Sequence, residues 1–346
     1  MVSVLVLSEM SLVTGRAVCC RGRGAASAST LAQRSWRWLE MTNVYFDSAM
    51  DDDRRRAALY QGDLFVFSPR PAALAMAQLA RDLLEAAFAP YDPREAQYHF
   101  SVEDYAAILG RVKPMFIHHP RCKELVPQLM VEVGADPAKV HFEVPKMRSA
   151  TAEGFLTTGI AYAFHPHRDT WYSAPQQQLN WWFPIYEIEP NNGMAFHTKY
   201  FDKEVPNSSE TYNYYRWNAQ RDSAVKMIGE DTRVQPKPLG PVDLDPQIRV
   251  VAPVGGVLLF SPQHLHSSVP NSTDVTRFSI DFRTVHRDDL QSGLGAPRVD
   301  SHCTGTALRD FLRCTDLSQL PDELIAPYDD ESALEFQDSL VYKPHD

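Results

Sequence analysis

From position 140 onward the chain is written in short apolar runs separated by turn signals, and this pattern narrows the folds open to it more than any other feature. Residues 141–144, 157–164, 179–188, 248–251, 257–260 and 278–283 each read as a strand. Pro190, Asn191, Asn192 and Gly193 end the third run. Asn-Gly is a strong hairpin signal, so 194–197 is expected to pair back. Pro253 to Gly256 mark another turn. Strands this short and this regularly punctuated predict a double-stranded β-helix, the jelly-roll or cupin-like barrel, with a mouth where a ligand can sit.

The stretch before position 140 follows a different period. After a short strand at 63–67, residues 72–88 carry Leu74, Leu79, Leu83, Leu84 and Phe88 at helical spacing. Two more helices are expected near 102–112, with Tyr105, Ile108 and Leu109 on one side, and near 122–133. The class is therefore α+β: a helical N-terminal layer on a barrel core at about 140–285. Residues 41–346 are read as a single domain. Residues 1–40 hold five Arg, no Lys and only Glu9 and Glu40 as acids. They read as a disordered or leader-like extension, or as the product of an upstream start with the working protein beginning at Met41. Between 199 and 245 periodicity fails and Tyr200, Phe201, Tyr212, Tyr214, Tyr215 and Trp217 accumulate. Such a segment is a lid, or a surface elaboration with one helix around 217–228. Residues 304–312 look like a capped helix.

Composition excludes several classes. The formal net charge is −10 with no basic stripe, which argues against a nucleic-acid partner. No apolar run approaches the roughly 18 residues that span a bilayer, so no membrane partner is expected. The cysteines are Cys19, Cys20, Cys122, Cys303 and Cys314, odd in number and without zinc spacing. A reducing cytoplasm fits them, with organellar import left open by residues 1–40. The expected partner is a small-molecule substrate; the composition leaves the oligomeric state open.

Candidate chemistry lies in two places. His167 and Asp169 alternate along an extended chain, so both side chains reach one side. His165 is a competing partner for His167. Far downstream, His264 and His266 follow Phe260 and Pro262, and Arg277 comes eleven positions after His266. Two imidazoles and one carboxylate can occupy one face of an Fe(II) ion and leave three positions open. An arginine adds a fixed cationic fork for a carboxylate.

Together these residues resemble the Fe(II)/2-oxoglutarate-dependent dioxygenases, and within them the phytanoyl-CoA hydroxylase-like branch. The resemblance runs from about 152 to 283. It selects His266 over His264, which would lie thirteen positions from the arginine. It implies His167, Asp169 and His266 as catalytic metal ligands, with Fe(II) as cofactor and 2-oxoglutarate and O2 as co-substrates. Arg277 is then the bidentate partner of the distal 2-oxoglutarate carboxylate, and Ser268 and Ser279 add hydroxyls. Ser268 and Asn271 also fit the family's His-x-Ser and Asn positions. The implied reaction is hydroxylation of a small polar metabolite or natural-product intermediate, with release of succinate and CO2. Retention of Asp169 removes halogenation and leaves desaturation, ring closure and epimerisation open. One departure stands out: relatives carry a Pro-Gly-Ser-His-like segment where this chain has Ala195, Phe196, His197 and Thr198.

Trp171 and Tyr172 follow the ligand pair and are the substrate-contact candidates. Arg283 shares the face of Arg277 and either meets an acidic substrate or pairs with Asp281. Trp181, Trp182 and Tyr186 read as core, and the tandem His118 and His119 as a helix entry. Two other classes stay in view: a cupin-like metal-dependent isomerase or hydrolase that does not use 2-oxoglutarate, and a non-catalytic small-molecule binding barrel.

Overall fold

The structure is a computed structural model that describes residues 42–162, 164–330 and the backbone of 3–7. Its strands are β1 (Ser3–Leu7), β2 (Val44–Phe46), β3 (Leu64–Phe67), β4 (Val140–Phe142), β5 (Lys146–Ala150), β6 (Gln178–Pro184), β7 (Met194–Phe196), β8 (Gln247–Val251), β9 (Val257–Phe260), β10 (His266–Ser268), β11 (Arg277–His286) and β12 (Leu312–Arg313). The helices are α1 (Asp52–Tyr60), α2 (Pro71–Phe88), α3 (Val102–Ile117), α4 (Pro120–Glu132), α5 (Tyr214–Ala219), α6 (Arg287–Ser292) and α7 (Asp322–Ile325). Of the N-terminal extension expected at 1–40, only β1 is described; the rest lies outside the described residues.

The strands form two sheets. The larger runs β12-β4-β11-β6-β9-β3-β2, with β5 also on β11, and the smaller runs β1-β8-β7-β10. All pairs are antiparallel except β2 with β3. Strand β11 organises the large sheet because it is long enough to pair with β5 at its start, β4 at its end, and β6 on the other side. Every residue of β6 is buried, which fits a strand covered on both faces.

Helix α2 starts at Pro71, where a missing N–H costs nothing. Its Ala72, Ala73, Met76, Ala77, Ala80, Leu84 and Phe88 are buried at helical spacing. This face packs on α3 and α4. It joins Phe183, Phe278, Ile280 and Phe282 of the large sheet in one core. Each large apolar side chain so buried contributes about 1.5–3 kcal/mol. Leu74, expected on this face, is instead 42% exposed, because the buried stripe runs through the alanines. Ser101 caps α3 by accepting from the Asp104 amide. The tandem histidines end one helix and begin the next: His118 closes α3, and His119 caps α4 by accepting from the Arg121 amide.

Four expectations about local structure are corrected. No strand forms among the described residues of 157–164; Gly159–Ala161 is one 3-10 turn, and Gly159 sits at φ +59°, which breaks an extended ladder. The β6–β7 hairpin does not form: β7 leaves for the small sheet, where it pairs with β8 and β10. Strand β5 was not expected, since its Lys, Met, Arg and Ser lack a clean alternation. Finally, the tail at 304–312 holds only one 3-10 turn, Ala307–Asp310, capped by Thr306, and the helix expected near 217–228 is α5 followed by a 3-10 turn at Arg221–Lys226. Among the described residues no helix is long and apolar enough to cross a membrane.

Candidate metal centre

His266 is the first residue of β10, in the small sheet. His167 pairs with it across an isolated bridge, its amide and carbonyl each bonded to those of His266 at 2.9 Å. Arg168 between His167 and Asp169 is extended (φ −113°, ψ 144°), and Asp169 opens a 3-10 turn, Asp169–Tyr172. The expected strand is thus reduced to one extended residue, which is enough to put both side chains on one side. His167 Nε2 lies 3.5 Å from Asp169 Oδ1, and His266 Nε2 lies 3.8 Å from the same oxygen. One ligand atom from each of the three residues falls within 4.8 Å of the others, and all three residues are buried.

The imidazole tautomers follow from hydrogen bonding. His167 Nδ1 lies 2.8 Å from the His165 carbonyl oxygen, and His266 Nδ1 lies 2.9 Å from that of His264. A carbonyl only accepts, so each Nδ1 carries the proton and each Nε2 presents a lone pair to the shared space. Burial, with His167 next, pushes the His266 pKa down to about 3, so the ring is neutral and ready to ligate. Burial alone would raise the Asp169 pKa. The facing His167 ring and the Arg283 guanidinium work against burial and hold the carboxyl well below the usual range. Two imidazoles and one carboxylate make up the donor set of a non-haem Fe(II) site.

Behind these ligands lies a second tier. Asp169 Oδ2 accepts from Gln178 Nε2 at 3.4 Å and faces Arg283 Nε at 3.6 Å. Arg283 also meets Asp281 at 3.1 Å and Glu143 at 3.2 Å. Burial works against its charge, but Asp281, Glu143 and Asp169 raise its pKa above the ordinary value. Arg168, fully buried, donates to the carbonyls of Gln263 (2.5 Å), Tyr200 (2.6 Å), Lys203 (2.6 Å) and Phe201 (3.4 Å), and to Asp300 Oδ2 (3.0 Å). Asp300 additionally accepts from Trp171 Nε1 at 2.8 Å and from the Val205 amide at 3.0 Å. The residue between two ligands therefore ties them to the segment that follows β7.

The ligands open onto a cavity of about 640 Å³ that reaches from Arg277 to α3 and the 199–245 segment. Arg277 is buried and donates to the Asn192 carbonyl (3.1 Å) and Ser279 Oγ (2.6 Å), beneath the Trp182 ring. No carboxylate among the described residues forms an ion pair with it. Burial lowers its pKa to about 10, so it is charged at neutral pH. Asn180 Nδ2 is buried in the cavity wall with no partner. A cationic fork and an unmet amide donor, both facing the metal ligands' cavity, suit a chelating ligand with a distal carboxylate.

No family model matches the chain, and no curated protein does. Solved structures with similar outlines include the epimerase SnoN in complex with Fe3+, alpha ketoglutarate and nogalamycin RO, at 15% identity over 67% of this chain and 83% of that one, TM-score 0.36. EvdO2 from Micromonospora carbonacea var. aurantiaca has 14% identity over 71% and 94%, TM-score 0.38. The apo form of the non-heme monooxygenase ThoJ has 17% over 77% and 86%, TM-score 0.34. At TM-scores this low the likeness carries no functional argument, and the site's own geometry has to carry it.

Of the residues singled out in the sequence, His167, Asp169, His266, Arg277, Ser268, Tyr172 and Arg283 all line the cavity. Ser279 does not; it stands behind Arg277 as an acceptor. Trp171 does not either: its ring is fully buried against Val205 and Leu265. His264 is fully buried between Phe196 and Phe201, and His165 is spent on Tyr162 and the Pro236 carbonyl. His197 bonds Ser267 Oγ and the Leu244 carbonyl. Sequence reasoning missed Gln178, Asn180, Glu143, Lys146 and Arg148. The signal was there for the first two, amides two apart in an otherwise apolar strand.

Proposed function

We propose that this chain is an Fe(II)/2-oxoglutarate-dependent oxygenase of the phytanoyl-CoA hydroxylase-like branch, on a jelly-roll core, that hydroxylates a small metabolite or natural-product intermediate. One observation carries the reading: a buried arginine with no carboxylate partner among the described residues faces the same cavity as the His167, Asp169 and His266 set. A buried, uncompensated guanidinium costs stability unless an anion meets it.

When bound, Fe(II) with 2-oxoglutarate and O2 supplies the oxidation and yields succinate and CO2. The chain's own residues do the rest. The Nδ1 contacts of His167 and His266 with backbone carbonyls fix the ring orientation that aims both Nε2 atoms inward. Arg283 and Gln178 hold the outer oxygen of Asp169 and leave Oδ1 on the ligand side. Ser279 and the Asn192 carbonyl fix the Arg277 fork for the distal carboxylate, and Ser268 stands at the same wall. Tyr172, in edge contact with His167 and Tyr212, bounds the substrate side.

The 199–245 segment acts as the lid that excludes water. Tyr212, Tyr214, Trp217, Val225 and Arg233 from it line the cavity. It is pinned by Thr158 Oγ1 donating to the Met227 carbonyl at 2.8 Å, and by Tyr172 OH donating to that of Pro236 at 3.3 Å. Residues 41–346 work as one domain in a reducing compartment, where the buried Cys122, Cys303 and Cys314 stay thiols.

The test is succinate formation from 2-oxoglutarate under O2, with and without Fe(II), in the parent chain and in Arg277→Ala. The expected result is iron-dependent succinate in the parent. In the variant the 2-oxoglutarate KM rises by a factor of a hundred or more, as loss of a buried charge partner worth about 3–5 kcal/mol requires. Metal binding without any 2-oxoglutarate turnover would instead favour a metal-dependent isomerase or hydrolase.

A further inference from the structure

One wall of the cavity comes from α3. Gly110, Lys113, Pro114 and Ile117 stand at i, i+3, i+4 and i+7, on one face of the helix, and all four line the chamber. Lys113 is 8% exposed. Its ammonium donates to Ser149 Oγ at 3.0 Å and to the Ile160 carbonyl. Both partners are neutral, and an ammonium has a third N–H to give.

Four other cations of the wall are differently placed. Arg148 meets Asp281 at 2.6 Å, Lys146 meets Glu143, and Arg233 meets Asp231 at 2.5 Å. Arg283 is shared by three carboxylates. Lys113 and Arg277 form no ion pair with a carboxylate among the described residues. Arg277 is taken by the co-substrate in the reading above. Lys113 is left buried in the field of two cations, Arg148 and Arg277, and of one carboxylate, Asp281, that Arg148 and Arg283 already pair, in a chain whose overall charge is −10. Such a group is costly unless a counter-charge arrives. A leucine or methionine would fill the same helix position without that cost.

We infer that the substrate of this chamber is a carboxylic acid whose carboxylate docks on the Lys113 ammonium. The inference rests on the Fe(II)/2-oxoglutarate reading. The rest of the chamber fits the body of such a molecule. Tyr162, Tyr172, Tyr212 and Trp217 supply ring faces and edges. The whole cavity of about 640 Å³ lies in the range of about 300–1,000 Å³ for ligand sites, and it holds the co-substrate as well. A ring-bearing acid therefore matches the chamber better than a simple amino acid. Burial pushes the Lys113 pKa down to about 7, and a bound carboxylate favours its charged form.

The experiment uses the full chain loaded anaerobically with Fe(II) and 2-oxoglutarate. It is titrated by calorimetry with benzoate, 4-hydroxyphenylacetate and 1-naphthoate, and with the matching primary amides. Lys113→Met and Lys113→Arg are compared with the parent. At least one acid is expected to bind the parent tenfold or more tightly than its amide. Lys113→Met abolishes that preference, Lys113→Arg keeps part of it, and the 2-oxoglutarate Kd stays within twofold in both. Ligand-free Lys113→Met also melts no lower than the parent, because it removes an uncompensated buried charge; a merely structural lysine would lower the melting point. Three results overturn the proposal: no acid preferred over its amide by the parent, a preference that survives Lys113→Met, or a raised 2-oxoglutarate Kd in that variant. Failure of the underlying reading looks different, since the parent would then not bind 2-oxoglutarate at all.

Discussion

Replacing Arg168 by Met should loosen both the fold and the metal centre, although Arg168 is no ligand. The side chain is fully buried and is the ion-pair partner of Asp300 at 3.0 Å. Methionine keeps much of the volume and removes the charge. Breaking a buried pair from one side costs about 3–5 kcal/mol, because the other charge is left alone. Four backbone carbonyls lose a donor as well, each worth about 1 kcal/mol where no water replaces it. A loss of at least ~4 kcal/mol is expected against a total stability of about 5–15 kcal/mol. With an m-value near the top of the usual urea range, about 3 kcal/mol/M, the midpoint falls by about 1.3 M. Asp300→Asn alone should cost less, and the double variant should be more stable than additivity predicts by about 2 kcal/mol, within the range for residues in direct contact. Metal affinity, read by Co(II) or Fe(II) titration, should weaken on the order of tenfold, as for other supports of a ligand set. A midpoint within 0.3 M of the parent (about 1 kcal/mol), or strict additivity with Asp300→Asn, would refute the argument.

Three further outcomes follow from the same geometry. His167→Ala, Asp169→Ala and His266→Ala should each abolish tight Fe(II) binding in a folded protein, whereas His264→Ala should keep it; retention by His266→Ala with loss in His264→Ala would reverse the ligand choice. Because burial sets the free Arg277 pKa at about 10, kcat/KM for 2-oxoglutarate should show no loss from this group at neutral pH and should fall as pH rises through about 10, when the cation is lost; a fall centred near 8 would assign co-substrate binding to another group. Gly159→Ala should displace the lid, since a Cβ there would stand 2.4 Å from the Ala224 carbonyl oxygen on a backbone at φ +59°. The expected signs are faster proteolysis within 199–245 and more succinate per product, and unchanged coupling would count against the lid.

Much of the site was legible because its chemistry is carried by residue type and spacing. His167 and Asp169 need only one extended residue between them to share a side, and Arg168 provides it even though the expected strand is absent. The choice of His266 over His264 came from the resemblance, through the spacing to Arg277; the two histidines are two apart, yet one stands beside His167 and Asp169 and the other is packed between aromatic rings. Helices α2, α3 and α4 were visible in the apolar period. Trp171 was misjudged as a pocket residue because adjacency along the chain does not fix direction; the 3-10 turn after Asp169 sends its indole to Asp300 and leaves Tyr172 at the cavity.

The sequence by itself determined the helical start, the strand-rich remainder, the three metal-ligating candidates and the arginine eleven positions beyond the last of them. These depend on local periodicity and on side-chain chemistry, which neighbours in the chain already contain. Only the tertiary structure decided which sheet β7 joins, that Lys113 of α3 reaches the chamber, and that Arg283 braces Asp169 while Arg277 pairs with no carboxylate of the described residues. Those outcomes turn on charge pairing and burial between segments far apart in sequence. Whether a cation is compensated depends on what folding brings beside it, and no local pattern records that.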